Sequence, residues 1–166
     1  QVEIALQGML RLGFGGVNVT IPLKHAAYRA MQQVAPCARR LGVVNTVAFS
    51  EGMLCGYNTD GVGLLADLGE RFGFHPRGQS VLVLGCGGAG RAVALTVAAE
   101  GASAVWLANR GEERLHAVAA DLRAAHYPGE VRALPPEPDA WASAAREAAL
   151  VVQCTSVGLH PGTPPL

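Results

Sequence analysis

The sequence predicts an α/β protein with two α/β domains, the second a Rossmann-like, doubly wound parallel sheet. Three observations predict it. Strand-length apolar runs alternate with helix-length segments through the second half. A GxGxxG loop stands where one such strand meets a helix. The composition breaks over Phe72–Gln79, where Gly73, Pro76 and Gly78 punctuate the chain. The domain boundary is therefore expected near Gly73, giving domains over 1–72 and 73–166 with a cleft between them.

The elements follow in order. Ile4, Leu6, Met9, Leu10 and Leu12 mark a helix over Gln1–Leu12, ended by Gly13. Val17–Thr20 reads as a short strand, and Leu23–Val34 as a helix with Pro22 at its start. Pro36–Leu41 is a short helical turn. Val43–Phe49 and Met53–Tyr57 flank Ser50-Glu51-Gly52 as a hairpin, and Asn58-Thr59-Asp60-Gly61 opens another helix. Beyond Gly73, strands are expected at Ser80–Leu84, Ala104–Ala108, Val131–Leu134 and Ala149–Cys154. Helices are expected at Gly88–Glu100, Glu112–Ala124 and Asp139–Glu147. Ser80–Leu84 is apolar throughout, as strands buried on both faces of a parallel sheet are.

Bulk properties exclude several classes. Half of the 166 residues are hydrophobic, ample for a core. Lys+Arg and Asp+Glu both number 13, and no basic run suggests a nucleic-acid surface. No apolar stretch reaches the roughly 20 residues that span a bilayer. Gln1–Leu12 lacks the basic start and small-residue cleavage site of a signal peptide. Cys37, Cys55, Cys86 and Cys154 form no CxxC pair, and the five histidines are scattered. They read as reduced thiols in a cytoplasmic protein without a metal site. The expected partner is a small molecule, with neither nucleic acid nor membrane, and a homodimer is admitted as the assembly. One count stands out: Lys24 is the single lysine beside 12 arginines. A suitably placed lysine can give up a proton near neutral pH, which arginine cannot.

Gly85-Cys86-Gly87-Gly88-Ala89-Gly90 supplies the loop chemistry. Gly85 permits the tight turn, Gly87 lets the backbone approach a pyrophosphate, and Gly90 lets helix and strand pack closely. The helix start at Gly88 and Ala89 offers free N–H groups to phosphate oxygens. NAD sites commonly place an acidic residue at the end of the second strand. Here Asn109-Arg110 stands there, and the first acids are Glu112 and Glu113, inside the helix. Arg110 and Arg114 can clamp a 2′-phosphate, so the residues favour NADP. Arg114 reads equally as a solvated helix residue.

The first half carries Asn18-Val19-Thr20-Ile21-Pro22-Leu23-Lys24, then Val44-Asn45-Thr46, then Asn58-Thr59-Asp60-Gly61. In this order, ahead of the glycine loop, these motifs closely resemble those of the shikimate dehydrogenase family. Asn109-Arg110 and Thr155-Ser156, followed by Gly158, extend the resemblance along nearly the whole chain. It implies reversible, NADPH-dependent reduction of 3-dehydroshikimate to shikimate, on the route to aromatic amino acids. It also implies that Lys24 and Asp60 are the catalytic pair, and that Thr20, Lys24, Asn45 and Asp60 hold the substrate. Gly85, Gly87, Gly88, Ala89, Gly90, Asn109, Arg110, Arg114, Thr155 and Ser156 would hold NADP.

The chemistry is intelligible from the residues. Hydride addition to a ketone leaves an alkoxide, which a lysine ammonium stabilises and protonates. A carboxylate beside it orients the ammonium. Asn and Thr suit a polyol. Asn58 and Thr59 read as well as caps of the following helix, and Thr46 as a plain strand residue. Tyr57, Gly111 and Gln153 depart from the family pattern, which has Asp, Thr and Asn there. Both domains read as truncated relative to the family, lacking its first strand with a serine-bearing segment and its last helix with a glutamine. A quinate/shikimate paralogue and a non-catalytic cofactor-binding relative are the rival readings.

Overall fold

The computed structural model describes residues 1–20 and 22–158. It comprises two compact units, Gln1–Asp60 and Gly61–Leu166. The first contains helices α1 (Val2–Arg11), α2 (Lys24–Ala30) and α3 (Pro36–Leu41). Its strands are β1 (Gly16–Asn18), β2 (Gln33–Val34), β3 (Thr46–Ser50) and β4 (Met53–Tyr57). They form a four-stranded sheet in the order β1-β3-β4-β2, antiparallel except where β2 runs parallel to β4. Glu51 and Gly52 both take positive φ, 52° and 75°, as the twist-matched two-residue hairpin turn requires. Leu6, Ala27, Ala38, Val44, Val47 and Leu54 close a small core on this sheet.

Helix α4 (Asp60–Phe72) leads into the second unit. There β5 (Ser80–Leu84), α5 (Gly88–Ala99), β6 (Ala104–Ala108), α6 (Glu112–Ala124), β7 (Glu130–Ala133), α7 (Pro138–Glu147) and β8 (Leu150–Gln153) alternate. The sheet order is β7-β6-β5-β8, with every pairing parallel. The chain winds outward from β5 to β7 and then returns to β8 on the other side of β5. The ends of β5 and β8 therefore flank a topological switch point, where open α/β sheets bind ligands. All of β6 is buried, because Val105 and Leu107 pack into one core and Ala104, Trp106 and Ala108 into the other. That two-sided burial makes Val81–Val83 and β6 read as continuous apolar runs.

Two expectations differ from the structure. The division falls after Asp60 rather than near Gly73, because Leu64 and Leu65 of α4 pack against the second unit's core. The helix expected over Leu23–Val34 stops at Ala30: Met31 turns extended, and Gln33–Val34 pairs with Cys55–Gly56. A local helical pattern has yielded there to strand pairing. Gln32 adds to the capture, its N–H donating to the Leu54 carbonyl and its Oε1 accepting from the Leu54 N–H at 2.6 Å.

Candidate active site

Lys24 opens α2, and its carbonyl accepts the Val44 N–H at 3.2 Å. The next residue, Asn45, donates its N–H to the Tyr57 carbonyl at 3.0 Å. These two bonds bring the start of α2, the residues entering β3 and the residues leaving β4 to one end of the first sheet. Asn58 then closes the corner. Its Oδ1 accepts from the Asp60 N–H at 3.1 Å and its Nδ2 donates to the Val43 carbonyl at 3.4 Å. Asn58 is buried, and its side chain closes a turn onto the N–H of the first residue of α4.

The Lys24 ammonium donates to Asp60 Oδ2 at 2.6 Å, with both side chains part-exposed. Asp60 Oδ1 accepts from Asn45 Nδ2 at 2.7 Å. Asn45 is itself held from several sides. Its Nδ2 reaches Thr59 Oγ1 at 3.1 Å, and its Oδ1 accepts from the Thr59 N–H at 3.0 Å and from Thr46 Oγ1 at 2.9 Å. A backbone N–H can only donate, so the Asn45 amide has one orientation, with its NH₂ toward Asp60. Both Asp60 oxygens accept a hydrogen bond, while the ammonium has three N–H bonds and spends one on Asp60. The arrangement is a lysine proton donor aimed by a carboxylate that is itself aimed by an amide.

The structure thus joins Lys24, Asn45 and Asp60. Thr20 is exposed, and among the described residues no hydrogen bond of its hydroxyl is recorded with this group; its carbonyl accepts the Leu23 N–H at 2.8 Å. Ile21, within the same motif, lies outside the described residues. Sequence reasoning left Thr46 and Thr59 as strand and cap residues, yet both orient Asn45. The hairpin register pairs Thr46 with Tyr57, two residues before Thr59, and could have signalled it.

The second unit holds the glycine loop. Gly85 takes φ +99°, and a Cβ there would press on Thr155 at 2.8 Å, across the switch point. A Cβ on Gly90 would strike the Gly85 carbonyl, so α5 can begin this close to β5 only with glycine. Gly87 and Gly88 differ: a Cβ on either meets nothing within 4 Å among the described residues. Gly88 and Ala89 are exposed, and no side chain among the described residues caps α5. This cradle of uncapped N–H groups, open where side chains would obstruct, fits a pyrophosphate. Arg110 and Arg114 are exposed beyond β6. Asn109 accepts the Cys86 N–H at 3.1 Å and donates to the Gly111 carbonyl at 2.7 Å. At the end of β8, Gln153 Oε1 accepts the Thr155 N–H at 2.7 Å, Thr155 Oγ1 accepts the Val157 N–H at 3.1 Å, and Ser156 is exposed. Burial pushes the Cys86 thiol up to about 11, with nearby Cys154 adding to it, and burial also raises Cys154. Among the described residues no cluster suits a metal ion, and no helix is long and apolar enough to cross a membrane.

Fold and sites together define an α/β protein with a dinucleotide-type loop and a lysine–carboxylate pair. Residues 1–47 match the profile of the shikimate dehydrogenase substrate binding domain. The chain is 44% identical, over 98% of its length and 55% of the relative, to the shikimate dehydrogenase (NADP(+)) of Symbiobacterium thermophilum. Its fold matches the shikimate 5-dehydrogenase of Thermus thermophilus, solved with NADP(H) and shikimate, at TM-score 0.81 and 42% identity, covering 99% of this chain and 57% of that one. The quinate dehydrogenase of Corynebacterium glutamicum, solved with NAD, matches at TM-score 0.86 and 29% identity, covering 100% and 58%. Over nearly its whole length the chain is similar to shikimate dehydrogenases. It spans little more than half the length of these relatives.

Proposed function

We propose that the protein carrying this chain is an NADP-dependent shikimate dehydrogenase, reversibly reducing 3-dehydroshikimate to shikimate on the route to aromatic amino acids. The observation that carries the reading is the Lys24–Asp60 contact at 2.6 Å. A non-catalytic relative has no need to keep a lone lysine paired in this way. When bound, the nicotinamide cofactor supplies the hydride in one direction and takes it up in the other. Lys24 lies against the substrate oxygen, stabilises its developing negative charge and gives it a proton; in reverse it receives that proton. Asp60 holds the ammonium in place and takes a hydrogen bond from a neighbouring ring hydroxyl. Thr20 and Asn45 complete the polyol contacts in this reading. Gly85, Gly87, Gly88, Ala89 and Gly90 would cradle the pyrophosphate, with Thr155 and Ser156 beside them. Arg110 and Arg114 would take the 2′-phosphate, which favours NADP over NAD. The free thiols of Cys37, Cys55, Cys86 and Cys154 fit a reducing, cytoplasmic setting.

The similarity to a quinate dehydrogenase supports a second reading, in which quinate and NAD are used. One assay separates the two in a full-length protein carrying these residues: shikimate or quinate oxidation with NADP or NAD. The proposal expects shikimate with NADP to give the highest kcat/KM. Preference for quinate with NAD selects the second reading, and no turnover with any pair rejects both.

A further inference from the structure

Asn109 is read from the sequence as a cofactor contact, but its carboxamide is engaged at both ends. Oδ1 accepts the N–H of Cys86, the second residue of the glycine loop, at 3.1 Å. Nδ2 donates to the carbonyl of Gly111, the residue that precedes α6, at 2.7 Å. A donor-only N–H on one side and an acceptor-only carbonyl on the other leave the amide a single orientation. Immediately before it, the Gly85 N–H donates to the Ala108 carbonyl at 2.7 Å, the last rung between the ends of β5 and β6. The Asn109 side chain adds one more rung after the backbone ladder has run out. Cys86 is 5% exposed, and its N–H would otherwise lie buried without a partner, a state proteins avoid.

We infer that Asn109 is a positioning residue: its carboxamide is a strut fixing the glycine loop to the turn that carries Arg110, and it does not itself read the 2′-phosphate. The inference rests on the proposal that the loop takes a nicotinamide dinucleotide. The loop serves the pyrophosphate common to NADPH and NADH, whereas Arg110 serves a group that only NADPH has. Strut and phosphate contact therefore separate by cofactor.

The test is calorimetric titration of a full-length protein carrying these residues with NADPH and with NADH, in wild type, Asn109→Ala, Asn109→Asp and Arg110→Ala, together with the ¹H–¹⁵N signal of the Cys86 amide. Asn109→Ala should raise Kd about tenfold for both dinucleotides, leaving their ratio unchanged, and should shift the Cys86 signal. Arg110→Ala should raise Kd for NADPH alone. Asn109→Asp keeps the acceptor for the Cys86 N–H but loses the donor to the Gly111 carbonyl, so it should hold the Cys86 signal. Selective loss of NADPH in Asn109→Ala would make Asn109 a 2′-phosphate ligand and overturn the inference. Unchanged binding of both, or a Cys86 signal that moves as far in Asn109→Asp as in Asn109→Ala, would overturn it too. A wild type that binds neither dinucleotide refutes the cofactor reading instead. In that case an unmoved Cys86 signal in Asn109→Ala would dispose of the strut as well, and a shifted one would keep it.

Discussion

At the scale of single residues, the candidate site is a relay of aim: Thr46 and Thr59 fix Asn45, Asn45 fixes Asp60, and Asp60 fixes Lys24. If Lys24 protonates the alkoxide, its interactions strengthen in the transition state, so its loss lowers kcat more than it raises KM. In the full-length enzyme, Lys24→Ala should lose about a hundredfold to ten-thousandfold in kcat. Lys24→Arg should stay nearly as poor, because it keeps the charge but not the transferable proton. Steady-state kinetics with shikimate and NADP decides this, and near wild-type kcat in the alanine variant would end the catalytic reading. Cys86 offers a different residue-scale test. Its thiol pKa rises from about 9 unfolded to about 11 folded, so folding favours the neutral form. Stability from this source is complete below pH 9 and drains away as pH climbs through 11, amounting to about 1–3 kcal/mol. Urea midpoints measured between pH 8 and 11 should fall more in wild type than in Cys86→Ala; parallel curves would refute it.

At the scale of elements, legibility followed the source of each constraint. β5, α5, β6 and α6 were plain because their burial is dictated by local pattern: two-sided apolar strands and a glycine-rich turn. β2 was hidden because Gln33–Val34 owes its extended form to β4, a partner 22 residues away at Gln33↔Cys55. Lys24, Asn45 and Asp60 were legible by resemblance, and their hydrogen-bonded union is visible in the structure. The Asn109 bridge was invisible because nothing in Asn-Arg-Gly says which amide a side chain will meet. The same reasoning predicts Gly61. A Cβ there would run into the Thr96 side chain of α5, whose hydroxyl already donates to the Ala92 carbonyl at 2.8 Å. Gly61→Ala should cost about 1–3 kcal/mol by overpacking, and adding Thr96→Ala should restore much of it. Chemical denaturation of the single and double variants measures both, and additive losses would show that the two helices do not meet through this pair.

At the scale of the whole molecule, the chain is two compact units joined through the peptide bond after Asp60. The first carries the lysine–carboxylate pair and the second the glycine loop, so each can be probed alone. If the proposed function holds, shikimate should lose affinity in Asp60→Asn of the full-length protein, with NADPH affinity unchanged. Arg110→Ala should do the reverse. Calorimetry with each ligand reads both effects, and a variant that weakens both ligands equally would argue against separate sites.

The strand order of the second sheet carries a consequence for handling the protein. Among the described residues β7 is one of its margins. β7 wears charge: Arg132 and Glu130 are ion-paired at 2.9 Å, with the Arg132 guanidinium 4.7 Å above the Trp106 ring. Charges on a border strand oppose its pairing edge to edge with a strand of another molecule. Replacing Glu130 and Arg132 together by alanine should therefore quicken the rise of light scattering on concentration while leaving the far-ultraviolet spectrum unchanged, and an unaltered rate would show that these charges do not guard the border.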